Sequence, residues 1–161
     1  ETTAAAIGPR LGLDAQISNW AEIDGRVVQL DVTTPLLRDD SGTERVDLGL
    51  FLASLPAALR PVVRAFLLDD ILAPYYDRRG AILDLAANLV KERLDDLVPT
   101  AVAIGNEHVD DPLTVEEVRS HYRRDARLWA LLQRLRRVDR VWQRRVRRRP
   151  YPFLLPPTIE R

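Results

Sequence analysis

Apolar residues follow two rhythms along the chain, and each predicts a different element. Between residues 20 and 30 the runs are short. Trp20 to Ile23 and Arg26 to Leu30 are rich in β-prone side chains and are joined by Asp24-Gly25, a dipeptide suited to a two-residue turn, so they predict a β-hairpin. From residue 45 onward the spacing becomes helical. Val46, Leu50 and Leu55, with Phe51 and Leu52 beside them, predict a helix stopped by Pro56. Pro61 suits the first turn of a second helix, whose broad apolar face carries Val62, Val63, Phe66, Leu67, Ile71 and Leu72 as far as Pro74. A third stripe, running from Ile82 through Leu85, Ala86, Leu89 and Val90 to Leu94 and Leu97, predicts one helix closed by Pro99. Thr114 followed three residues later by Glu117 is a capping-box signature. It opens a long helix expected to reach about Arg149, because the prolines from Pro150 onward bar helix beyond it.

The segments between these runs are irregular. Residues 1–13 mix Ala, Gly and Pro without a period and read as a lead-in rather than a packed element, and residues 32–44 have the composition of a loop. Ala101 to Ile104 is a short apolar segment ending at Gly105-Asn106. The expected architecture is mostly α with one small β-hairpin near the N-terminal end. It comprises residues 1–35 around the hairpin, a helical body over 45–149 and a Pro-rich tail over 150–161.

Composition narrows the classes. A chain of 161 residues that is 46% apolar has enough material for one core, so a single domain over residues 1–161 is expected. The absence of cysteine excludes a disulfide scaffold, a thiol nucleophile and a cysteine-held metal. No charge-free run approaches the ~18 residues needed to span a bilayer, so no membrane span is expected and the location is read as cytoplasmic. The chain has no methionine, which predicts that it is a piece of a longer protein. His108 and His121 lack metal-ligand spacing, and neither Ser18 nor Ser41 lies in a nucleophile-elbow context.

Charge adds an asymmetry that the net value of zero conceals. Residues 1–118 carry 10 basic and 21 acidic side chains, whereas residues 119–149 carry 13 basic and 2 acidic ones. The basic segment interleaves its arginines with Tyr122, Trp129 and Trp142, a combination that in principle grips phosphates and stacks bases. Leu128, Leu131, Leu132, Leu135 and Val138 give the same segment an apolar stripe. Its expected fate is to pack on the acidic body or on a partner chain, with nucleic acid disfavoured as partner.

Chemistry is densest in residues 12–35. Asp14 precedes Asn19 by five positions, the hairpin follows directly, and Asp31 ends its second strand. Phosphoryl transfer requires hard oxygen ligands for Mg²⁺ and a carboxylate that orients the attacking hydroxyl, and this segment has residue types for each. A hairpin between Asn19 and Asp31 returns the chain to its start and sets these residues side by side. The bland alternative is that all three are turn, cap and strand-end residues, a common use of such side chains.

The text from Gly12 to Asn19, then Trp20 to Leu30, then Asp31-Val32-Thr33 resembles the catalytic lobe of the kinase-like superfamily, particularly its aminoglycoside-phosphotransferase and small-molecule-kinase branches. The resemblance implies a kinase-like C-terminal lobe lacking the N-terminal lobe. Asp14 would be the catalytic base, Asn19 a metal ligand, and Asp31 the main metal ligand towards the nucleotide phosphates. It further implies Mg²⁺ and ATP, a small-molecule substrate, and a nucleotide-binding lobe supplied by a missing N-terminal segment or a partner chain. The sequence departs from the pattern at Leu13, where the family usually has His or Arg, and at Thr33, where it usually has Gly. It holds no Gly-rich loop, and its one lysine, Lys91, lies downstream on a helix rather than on an upstream strand. The alternative reading is a catalytically inactive kinase-like or helical protein-interaction module.

Overall fold

Asp24 and Gly25 adopt φ of 52° and 74°, the paired left-handed angles of a type I′ turn, whose twist matches that of the strands it joins. Strand β1 (Trp20–Ile23) accordingly runs antiparallel to β2 (Arg26–Gln29), with Trp20 opposite Gln29 and Ile23 opposite Arg26. The computed structural model describes residues 7–31, 36–53 and 55–155. Among these the hairpin is the one sheet, and the rest of the regular structure is helical. Val32 to Pro35 of the expected metal-binding turn lie outside the described residues.

Helix α1 (Leu48–Ala53) starts where Asp47 Oδ1 accepts the Gly49 N–H at 2.8 Å. The expected second helix is present but changes its winding. It starts as α2 (Arg60–Val62), passes through a π-helical turn (Val63–Leu67) and resumes as α3 (Leu68–Leu72). Pro74 does not end it abruptly, because a 3₁₀ turn (Ala73–Tyr76) takes the proline in its first positions, where no N–H is needed.

The third expected helix is corrected. Helix α4 (Arg78–Lys91) is capped at its start by Asp77, whose Oδ2 accepts the Gly80 N–H at 2.7 Å, but it stops before Leu94 and Leu97. Arg93 turns to a φ of 63°, Leu94 N–H donates to Leu89 O at 2.8 Å, and Arg93 N–H donates to Val90 O at 3.2 Å. This is a Schellman ending with arginine where glycine is usual, so the sequence lacked its ordinary stop signal. Pro99 therefore opens rather than closes an element: it lies in the first turn of α5 (Val98–Asn106). Helix α6 (Val115–Arg145) begins at the expected cap, with Glu117 N–H on Thr114 Oγ1 at 3.1 Å, and ends four residues short of Arg149.

The backbone divides into two compact units, one of residues up to 46 with 69–123, the other of residues 47–68 with those from 124 onward. The first unit holds the main core. Leu83, Ala86 and Ala87 of α4 meet Val98 and Val102 of α5 together with Leu113 and Val118, and Val98 and Val118 are wholly buried. A smaller cluster joins Ile7 and Ala15 to Ala81, with Leu13 against it. Residues 7–13 are therefore tied into the fold, with Ile7 and Leu13 packed, unlike the loose lead-in expected of residues 1–13, of which 1–6 lie outside the described residues. They bridge to the presumed loop as well, through Leu11 with Leu37, while Arg38 bridges Glu44.

In the second unit Leu52 and Leu55 are buried, and Arg136 places its guanidinium 5.8 Å from the ring of Phe153. The leucine stripe of α6, expected to pack on the acidic body or on a partner chain, is largely exposed in this chain, with Leu128, Leu131 and Val138 at 65%, 52% and 66%. The described residues include no helix long and apolar enough to cross a membrane.

Candidate functional site

The segment from Arg10 to Asp14 is held from both sides by backbone hydrogen bonds within the first unit. Gly12 N–H donates to Leu36 O and Leu13 N–H to Tyr75 O, both at 2.8 Å, while Arg38 N–H donates to Arg10 O at 2.9 Å. The fit is close at Gly12. A Cβ there would stand 3.0 Å from both Leu36 Cβ and Tyr76 Cε1 and 3.1 Å from Tyr75 O, so a larger residue would displace the loop that precedes Asp14.

Tyr76 anchors this arrangement through a buried charge. Its hydroxyl donates to Glu44 Oε2 at 2.5 Å, and Arg38 Nε donates to Glu44 Oε1 at 2.7 Å. The Arg38 guanidinium also lies over the Tyr76 ring at 3.7 Å. Glu44, with a side chain only 9% exposed, thus has a donor on each oxygen, as a buried carboxylate requires. Burial, with the Glu44 hydrogen bond second, pushes the Tyr76 phenol above its ordinary pKa.

Asp14 follows the anchored segment and is half-buried. Its Oδ1 accepts the Gln16 N–H at 3.3 Å, which fixes the carboxylate at the head of a 3₁₀ turn (Ile17–Asn19). Asn19 closes that turn. Its Nδ2 reaches back to the Asp14 carbonyl at 3.5 Å, and its own backbone carbonyl accepts the Leu30 N–H at 2.7 Å. The hairpin thereby brings Leu30 beside Asn19, with Asp31 next in the chain and exposed. Asp14 and Asn19 are joined by a direct hydrogen bond, and Asp31 is linked to them through the hairpin backbone.

One residue that sequence reading set aside comes close to this loop. Lys91, at the end of α4, donates from Nζ to Gln16 Oε1 at 3.3 Å and lies 3.7 Å from Glu92 Oε1. Gln16 is two residues from Asp14, so the only lysine of the chain brings positive charge to the loop across a long stretch of sequence. Nothing in the local pattern signals this contact. No group of three or more His, Cys, Asp or Glu gathers among the described residues. Asp14 and Asp31 carry carboxylates and Asn19 a carboxamide, hard oxygen groups of the kind that Mg²⁺ takes.

A further polar cluster steadies the first unit. Arg79 grips Glu117 with both terminal nitrogens, at 2.8 and 2.9 Å, and donates from Nε to the Asp111 carbonyl at 3.0 Å. The hydrogen bonds from Arg79 hold the Glu117 carboxyl below the usual carboxylate range.

Residues 2–140 match a family described as a family of unknown function, DUF6206, and the chain belongs to that family. Comparison with curated proteins gives no match, and comparison with solved structures gives none.

Proposed function

We propose that the chain is the catalytic part of an ATP- and Mg²⁺-dependent phosphotransferase of the kinase-like superfamily, acting on a small molecule. The observation that carries the reading is the loop in which Asn19 Nδ2 reaches the Asp14 main-chain carbonyl at 3.5 Å and Leu30 N–H donates to Asn19 O at 2.7 Å. It gathers a general-base candidate and one ligand in one loop, with the second ligand at the end of the hairpin, in the order the family resemblance implies.

In this reading the Asp14 carboxylate orients the acceptor hydroxyl and takes its proton. Asn19, whose amide nitrogen reaches the Asp14 carbonyl, and Asp31 would be the ligands to a divalent ion, as the family resemblance implies. Bound Mg²⁺ supplies neutralisation of charge on the phosphate oxygens. Lys91 adds a cation beside the loop, and the Tyr76–Glu44–Arg38 cluster keeps the Asp14 segment in place. A nucleotide-binding lobe, from a further segment or a partner chain, completes the site.

The test uses the protein together with that lobe. Asp31→Ala is expected to abolish Mg²⁺-dependent nucleotide binding measured by calorimetry. Asp14→Asn should leave binding within about twofold and slow transfer by roughly 10²–10⁴-fold. Unchanged ATP and Mg²⁺ affinity in the Asp31 variant would overturn the reading and leave a catalytically silent interaction module.

A further inference from the structure

In the second unit α6 is amphipathic in an inverted sense. Leu128, Leu131, Leu135, Val138, Trp142 and Val146 follow one another at steps of three and four residues, which confines them to roughly 80° of the helix surface over about 27 Å. Val146 lies just past the helix but keeps the line, since its N–H still donates to Trp142 O at 3.0 Å. These six side chains are between 36% and 66% exposed. The side chains that the helix buries come from the far side and are polar: Gln133 at 6% and Arg136 at 9%. One long edge of the apolar stripe carries Arg127, Arg134 and Arg145, all exposed. Residues 124–149 hold 11 arginines against Asp125 and Asp139.

A surface that suits this face must offer an apolar phase and negative charge together, along the same line. A second copy of the helix offers the first but sets arginine against arginine, with two aspartates per chain to offset them. Nucleic acid offers phosphate but no apolar phase for six aliphatic and aromatic side chains. We infer that this face of α6 docks on an anionic lipid bilayer, with the helix in the plane of the interface. The stripe enters the acyl boundary and the arginine edge meets the headgroups. Trp142, 53% exposed and within the stripe, is a residue that favours that depth. The inference stands independently of the phosphotransferase reading, which concerns the other unit.

The experiment is co-sedimentation of the full protein with vesicles of phosphatidylcholine alone or containing about one third phosphatidylserine. Binding to the anionic vesicles is expected, with partitioning at least about tenfold weaker on pure phosphatidylcholine. Each arginine near an anionic surface contributes roughly fivefold, so changing Arg127, Arg134 and Arg145 together to Gln should cost on the order of a hundredfold. Leu135→Asp with Val138→Asp should abolish binding while circular dichroism stays unchanged. If that pair disturbs the helix, Leu135→Ser with Val138→Ser serves instead and should lower partitioning about tenfold. No binding to anionic vesicles, or binding indifferent to the stripe variants, overturns the inference. A dimer in sedimentation equilibrium that the Ser pair dissociates, without vesicle binding, overturns it in favour of a second copy.

Discussion

Helix α6 contains two neighbourhoods that obey opposite rules. From 115 to 123 it buries Val118 completely, is capped by Thr114 and holds Glu117 on Arg79. From 124 to 145 it buries Gln133 and Arg136 and exposes Leu128, Leu131 and Val138. The sequence is helical throughout, so helix propensity does not separate the two halves; what separates them is which face each unit covers. Helicity and burial are therefore independent readings of the same residues. The apolar stripe that ordinarily marks a core face here marks a free one.

Substitutions on the two halves sharpen this contrast. Val118→Asp puts an unpartnered carboxylate where no surface is exposed and should cost on the order of 4 kcal/mol, enough to leave the first unit unfolded in a thermal melt. Loss of less than about 1 kcal/mol would mean that the core around Val118 is not closed. Thr114→Ala removes the cap and should cost about 1 kcal/mol, read as a lowered midpoint in urea.

Arg79→Ala should cost a similar ~1 kcal/mol near neutral pH, since the Arg79–Glu117 pair is partly exposed and solvent screens it. Its pH dependence carries a sign. Because the folded state lowers the Glu117 pKa, the stabilisation is complete above the ordinary carboxylate range and fades as pH falls through that range and below it. The difference in melting temperature between wild type and Arg79→Ala should therefore shrink on acidification, and a difference that stays constant to low pH would remove the pair from the account. The smallest effect belongs to the free face: Val138→Ser should change stability by no more than ~0.5 kcal/mol. A loss above ~1.5 kcal/mol would show that Val138 is covered after all.

Much of this molecule was legible in its sequence wherever the signal is local. Asp24-Gly25 specified the hairpin turn, and Thr114 with Glu117 specified the start of α6, because each acts over three or four residues. The end of α4 was not legible, since Arg93 adopts the left-handed conformation without the glycine that usually marks it. Pro99 misled for a different reason: a proline suits the start of a helix as well as the space after one. At the candidate site, Asp14, Asn19 and Asp31 could be put forward as candidates from residue type and spacing alone. The supports could not, because Glu44 meets Tyr76 and Lys91 meets Gln16 across distances in the chain that no local pattern encodes. The exposure of the α6 stripe was hidden too, since periodicity reports that a face is apolar and not what lies against it.

The backbone bonds that clamp Gly12 and Leu13 also bear on the order of folding. Leu13 is fastened to Tyr75, a closure of about sixty residues that forms only after the intervening chain has collapsed, whereas the hairpin and α4 can form from neighbours. The loop that carries Asp14 is therefore expected to be among the last parts to acquire its geometry. Conditions that slow or reverse that closure would displace the loop while most of the helical signal persists. Hydrogen exchange should report it, with the Leu13 amide opening before those in the middle of α4.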